Sequence, residues 1–164
     1  MVLEDLFVEN LDLVVCGTAA GHRSAALKQY YAGRGNKFWS ILAEVNLTPC
    51  QLAPSEYKEL LSYGIGLTDV VKHQSGGDSD IDFGDAEPGS VKQKIVRLKP
   101  RVFTFNGKRA AQVYLGRQNV TYGLQPDTVG ETRLFIAPST SGAANAYWQP
   151  ELWRELANLV SSTG

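Results

Sequence analysis

An α/β fold, built as three layers around a mainly parallel four-stranded sheet, is what the sequence predicts. Two observations carry that expectation. Short apolar runs ending at glycine, asparagine or proline alternate with stretches whose apolar residues recur at helical spacing. Strands alternating with helices in this way pack as a parallel sheet covered on both faces. A chain of 164 residues suits one domain, 1–164, large enough to bury a core without disulfide or metal staples.

The elements follow in order. Leu11-Asp12-Leu13-Val14-Val15-Cys16-Gly17 is a β-branched run that stops at glycine and reads as a buried strand. A loop, Thr18 to Gly21, leads to a short helix from Arg23 to Tyr31. Asn36 begins a clearer helix, with Phe38, Trp39, Ile41, Leu42 and Val45 on one face. Pro49 and Pro54 punctuate the link to a third helix, which Ser55 can cap and whose inner face carries Leu60 and Leu61. Gly64 to Asp69 opens an irregular segment, and the Gly-, Ser- and Asp-rich stretch from His73 to Gly89 reads as a loop. A helix over Ser90–Leu98, a strand over Arg101–Phe105 and a helix over Lys108–Leu115 come next. Leu134 to Ala137 is a further strand, and Pro150 starts an amphipathic helix with Leu152, Trp153, Leu156 and Leu159 inward.

Composition narrows the function classes. Cys16 and Cys50 are the only cysteines, too few for a disulfide framework or an iron–sulfur site. With His22 and His73 the only histidines, zinc-ligand spacing is missing and no metal or other cofactor is expected. The acidic N-terminus lacks the basic and apolar regions of a signal peptide, and no apolar run approaches ~20 residues, so a cytoplasmic protein without a membrane partner is expected. The net charge of −1 hides segregation. No acid lies between Asp12 and Glu44, where Arg23, Lys28, Arg34 and Lys37 stand, nor between Glu87 and Asp127, where eight bases stand. Acids gather instead at Asp69, Asp78, Asp80, Asp82, Asp85 and Glu87. Such segregation can make one face positive and attractive to phosphates.

In parallel sheets function gathers at the carboxyl ends of strands. Three exits stand out: Gly17 to Ser24, Asn106 to Arg109, and Pro138 to Asn145. The first, Gly17-Thr18-Ala19-Ala20-Gly21-His22-Arg23-Ser24, follows a strand as a phosphate loop would. It is one residue short of GxxxxGK[ST], and Arg replaces Lys. Its small residues still let a ligand approach the backbone.

The strand ending in Cys16-Gly17, the Thr18–Gly21 loop, the aromatic Tyr31 and then Asn36-Lys37-Phe38-Trp39 resemble the mismatch-specific uracil-DNA glycosylases and their thymine-DNA glycosylase relatives. That family carries Cys-Gly, a Gly-Xaa-Asn-Pro-Gly loop and an Asn-Arg-Phe-Trp element in this order. Gly64 to Asp69 resembles its Gly-Val-Thr segment, Phe105-Asn106-Gly107-Lys108 its Leu-Gly-Lys turn, and Pro138-Ser139-Thr140-Ser141-Gly142 its Asn-Pro-Ser-Gly loop. The likeness runs from about Leu11 to Asn145. It implies a monomeric, cofactor-free DNA repair enzyme that flips uracil out of DNA and hydrolyses its glycosidic bond, associating with the nucleoid through DNA. Free base and an abasic site would be the products. Two departures bear on mechanism. The asparagine of the first loop is replaced by Ala19, beside Ala20, and the asparagine or histidine of the last loop by Ala137. Methyl groups cannot activate water or donate a hydrogen bond.

Other residues must then take over. Asp69 is the first catalytic candidate, since a carboxylate can orient water and stabilise a developing cation. Its position also corresponds to one that carries a base-reading Asn in the archetypal enzymes. Asn36 is the second, although asparagine before a helix is also a good cap. The resemblance places Tyr31 against the flipped base, and Gly17, Thr18, Ala19, Ala20, Gly21, His22 and Phe38 around it. Arg23, Ser24, Lys108, Ser139, Thr140, Ser141 and Gly142 would grip the DNA backbone, with help from Arg109. Three alternatives remain open: a glycosylase for another deaminated base such as hypoxanthine, a DNA-binding module without catalysis, and an unrelated nucleotide-binding α/β enzyme.

Overall fold

The computed structural model describes residues 1–162. Five strands form one sheet: β1 (Leu13–Gly17), β2 (Ile65–Asp69), β3 (Val102–Asn106), β4 (Gly123–Val129) and β5 (Thr132–Ala137). Their order is β2-β1-β3-β5-β4, parallel except for the antiparallel β5–β4 edge. The helices are α1 (His22–Leu27), α2 (Phe38–Glu44), α3 (Pro88–Leu98), α4 (Lys108–Leu115) and α5 (Pro150–Ser162). They cover both faces of the sheet, and β1, β2 and β3 are buried along their whole length. Strands covered on both sides read as unbroken apolar runs, which is why β1 and β3 stand out in the sequence.

Alternate residues of β1 serve opposite cores. Leu13 and Val15 pack with Phe38, Trp39 and Trp153 under α2 and α5. Val14 and Cys16 pack with Phe103, Phe105, Val91, Ile95 and Ala110 under α3 and α4.

The expected four strands become five, and the segment read as irregular is strand β2. Its second residue is Gly66, where a Cβ would stand 2.4 Å from the Leu6 carbonyl oxygen. The N-terminal segment approaches that closely to bridge Leu6 with Leu67. The glycine required there breaks the apolar run that marks a strand. Strand β4 contains Gln125, Pro126 and Asp127, and its pairing shifts register between Leu124 and Thr128. Proline and a bulge belong on an edge strand.

Helix boundaries also move. The first helix starts at His22 and stops at Leu27, short of Tyr31. The helix after Pro54 is a 3₁₀ helix, Pro54–Tyr63, capped by Ala53 rather than Ser55; the Ala53 N–H donates to Glu56 Oε1 at 2.8 Å. The helix expected from Ser90 begins at Pro88. Helix α2 begins at Phe38, two residues after Asn36. Among the described residues no helix is long and apolar enough to cross a membrane.

Candidate active site

The register of the parallel strands assembles the site. Gly17 ends β1 opposite Asp69, the end of β2, and Asn106 ends β3 opposite Ala137, the end of β5. These four residues therefore share one rim of the sheet. Above it opens a cleft of about 790 Å³, within the range that holds small ligands. Gly17, Thr18, Ala19, Ala20 and Gly21 form one wall, with Tyr31, Asn36 and Asp69 beside them. Ser24, Lys108, Arg109, Ser139, Thr140, Ser141 and Gly142 line it as well. A smaller hollow of about 290 Å³ near Pro88, Lys92 and Asp127 holds none of the candidates.

Asp69 is the most unusual group in the cleft. It is 4% exposed, and burial raises its carboxyl from the ordinary 3.8 to about 6. The nearby Lys72 charge and the Gly17 N–H pull the other way, while Asp5 adds to the rise. Lys72 is itself committed elsewhere. Its ammonium lies 2.7 Å from Asp5 Oδ1, and Asp5 also accepts from Thr68 Oγ1 at 2.7 Å and from Lys94. Burial pushes the Asp5 carboxyl up, but Lys72, Lys94 and Thr68 outweigh it and hold the group below its ordinary value. Two neighbouring carboxyls are thus driven in opposite directions, a pattern typical of sites that handle protons.

Gly17 is the point of closest approach. A Cβ there would lie 2.7 Å from Asp69 Oδ1 and 3.2 Å from Tyr31 Oη. The Tyr31 hydroxyl is buried and, among the described residues, has no hydrogen-bond partner. Asn106 lies next to it, but that amide is tied to Thr140: Nδ2 donates to Oγ1 at 2.9 Å, and the Thr140 N–H donates to Oδ1 at 3.0 Å. This pair fixes the 139–142 loop over the end of β3. Tyr31 also holds a positive φ of 51°, strain of a kind that gathers at functional sites.

The other candidates fall in different places. Asn36 both supports the start of α2 and faces the cleft: Lys37 holds the N-cap position, Asn36 Oδ1 accepts from the Phe38 N–H at 3.0 Å, and the residue lines the cavity. Phe38 cannot touch a ligand, being fully buried. It stacks behind Tyr31 with ring centres 4.1 Å apart and a 27° tilt, so it braces the Tyr31 ring. The helical period that marks Phe38 is a core signal. His22 points away from the cleft toward Asp80, 3.6 Å off, and Arg23 is exposed outside it. Helix α1 starts at His22, which turns both side chains outward. Ala137 is fully buried and does not reach the cleft.

Sequence reasoning missed several cleft residues. Asp78 accepts from Thr18 Oγ1 at 2.9 Å and comes from a loop that pairs Ser75 with Ala20. Tyr122, Tyr147 and Gln149 close the far end. No local motif marks them, because they precede β4 or follow β5 and meet only in the folded sheet.

A mainly parallel sheet with a ligand-sized cleft at its carboxyl rim, lined by small-residue loops and a buried carboxylate, defines an α/β protein of the kind that holds a small ligand or group at its strand ends. The chain belongs to the uracil DNA glycosylase superfamily, whose family model matches residues 4–158. It is also similar in fold to the solution NMR structure of a candidate uracil DNA glycosylase from Methanosarcina acetivorans. The TM-score is 0.65 at 20% sequence identity, over 97% of this chain and 96% of that one.

Proposed function

We propose that the protein is a monofunctional DNA glycosylase that hydrolyses the N-glycosidic bond of uracil in DNA. The observation that carries this reading is Asp69, a carboxylate buried at the floor of the cleft and titrating near 6. The family supports a glycosylase; the residues support the chemistry.

Glycosidic cleavage builds positive charge at the sugar and negative charge on the departing base. Above pH 6 the ionised Asp69 can stabilise the sugar cation and orient a water toward its C1′ atom. The bond to the base nitrogen breaks and its electron pair leaves with the base; water adds to C1′ and gives up a proton to the Asp69 carboxylate, and the base anion takes a proton from solvent. Among the described residues the N–H groups of Ala19 and Gly21 have no protein acceptor, so they are free to bind the base anion. The amide hydrogens of Asn36 are free in the same sense, its oxygen serving the helix. Tyr31, braced by Phe38, walls the slot. Ser139, Ser141, Gly142 and Lys108 supply hydroxyls, backbone amides and charge for the flanking phosphates, while Thr140, buried and held by Asn106, anchors their loop.

The test is incubation of purified protein with a uracil-containing oligonucleotide in EDTA, followed by alkaline cleavage of abasic sites. Strand cleavage dependent on uracil is expected. Cleavage confined to hypoxanthine would move the base preference while keeping the class. No cleavage on uracil, hypoxanthine or mismatched substrates, with DNA binding retained, would replace the enzyme with a binding module.

A further inference from the structure

The two ends of the cleft differ in chemistry. At the β2 edge the rim is acidic. Asp78 lines the cleft, and Asp80, Asp82 and Asp85 follow on exposed turns. At the β4 edge the rim is aromatic and basic. Tyr122 precedes β4, and because β4 runs antiparallel to β5 its start lies at the carboxyl end of the sheet. Lys108 Nζ sits over the Tyr122 ring, 4.5 Å from its centre. Tyr147 lines the same end and is 68% exposed. It stands close enough to Tyr122 to add to the rise that burial gives that phenol. Arg109 stands between the two ends: it lines the cleft and lies over Phe83 of the acidic segment, 5.0 Å from the ring centre.

An exposed tyrosine lining the same cleft as a second one whose ring carries a cation offers faces that bases stack on. Resting on the glycosylase reading, we propose that the Tyr122–Lys108–Tyr147 ledge binds single-stranded DNA, stacking a base adjacent to the one in the cleft. Duplex DNA fits this rim less well for two physical reasons. Its neighbouring bases are already stacked on one another and offer no free face to Tyr147. A second row of phosphates would also meet the repulsion of the Asp78–Asp85 side. A single strand keeps its base faces free, follows the basic side, and spends least on bringing a base out of the stack.

The experiment uses the full chain and uracil oligonucleotides carrying 2-aminopurine next to the uracil, single-stranded and in duplex. It measures dissociation constants by anisotropy and stacking by fluorescence quenching. The wild type should bind the single strand more tightly than the duplex and quench 2-aminopurine. Tyr147→Ala should weaken single-strand binding about 5- to 100-fold, remove most of the quenching and leave the melting temperature unchanged. Tyr147→Trp and Tyr147→Phe should restore both signals. Equal affinity of Tyr147→Ala and wild type, unaltered quenching, or tighter binding to duplex would overturn the proposal. Uracil release is assayed in parallel. Its absence alongside intact quenching would sink the glycosylase reading and leave the ledge standing.

Discussion

Replacing Asp69 with asparagine should make the protein more stable and less active at once. The carboxyl is buried, and its folded value is about 6 against an ordinary 3.8. A folded value above the unfolded one means that the native state holds a proton the unfolded chain has already released. Wild-type stability therefore falls as pH rises from about 4 to about 6, and the full penalty applies above that. The rise is roughly two units, or about 3 kcal/mol at ~1.4 kcal/mol per unit. An asparagine side chain has nearly the shape of the neutral acid and never ionises, so it escapes the penalty. At pH 8 the D69N variant should gain up to about 3 kcal/mol, or roughly 6–12 °C in melting temperature for a chain of this size. At pH 4 the two proteins should melt together. Uracil release should fall by a factor of about 100 or more, and wild-type kcat/KM should climb with pH through an apparent value near 6. Thermal denaturation at both pH values and a single-turnover pH profile check this. Equal melting temperatures at pH 8 together with full activity would show that the Asp69 charge is neither buried nor used.

Gly17→Ala should abolish uracil release, because the new methyl would stand 2.7 Å from Asp69 Oδ1; overpacking of this kind typically lowers stability by about 1–3 kcal/mol, readable by urea titration. Tyr31→Phe removes a buried hydroxyl that has no partner among the described residues, so urea denaturation should show stability unchanged or raised, by as much as ~1–3 kcal/mol. Asn106→Ala strands the buried Thr140 N–H and frees the 139–142 loop; KM for DNA should rise and stability should drop by about 1–3 kcal/mol. Asp5→Ala leaves Lys72 buried and without its ion-pair partner, with 8% exposure, and should cost about 3–5 kcal/mol. Because the Asp5 carboxyl is held below its ordinary value, that loss should be full at neutral pH and should shrink as pH falls below about 4, measured by chemical denaturation across pH.

How legible the molecule is in its sequence depends on what each segment packs against. Strands β1 and β3 are covered on both faces, so Leu13 to Cys16 and Val102 to Phe105 announce themselves as apolar runs. Strand β2 hides because the N-terminal segment presses on Gly66, and β4 hides because an edge tolerates Pro126. The same division holds in the cleft. Gly17 to Gly21 and Ser139 to Gly142 follow strand exits, which topology alone marks as functional ground, whereas Asp69 ends the hidden strand β2 and is singled out only by its carboxylate chemistry and the family resemblance. Phe38 is expected near the base only through the resemblance; its helical spacing marks a core position, and it is buried behind the Tyr31 ring. Asp78, Tyr122 and Tyr147 carry no local pattern; only the order β2-β1-β3-β5-β4 brings the segments that hold them to one opening.

The alanines at positions 19 and 137 bear on whether this cleft is a working site. Ala137 is buried under the sheet rim and shut off from the cleft, so a polar group there would need partners that the surrounding core does not offer. Ala19 does line the cleft, and in the proposed reading Asp69, at the neighbouring strand end, takes over the water-positioning role of the family's asparagine. An asparagine in its place could accept the same Gly17 N–H without the burial penalty. A carboxylate kept at a position where its ionised form weakens the fold is accounted for by its charge, and within this cleft the charge faces the slot where a sugar cation would form. A binding module has no need of that charge, since DNA phosphates would be repelled by it. The buried carboxylate therefore argues for catalysis more strongly than the two methyl groups argue against it.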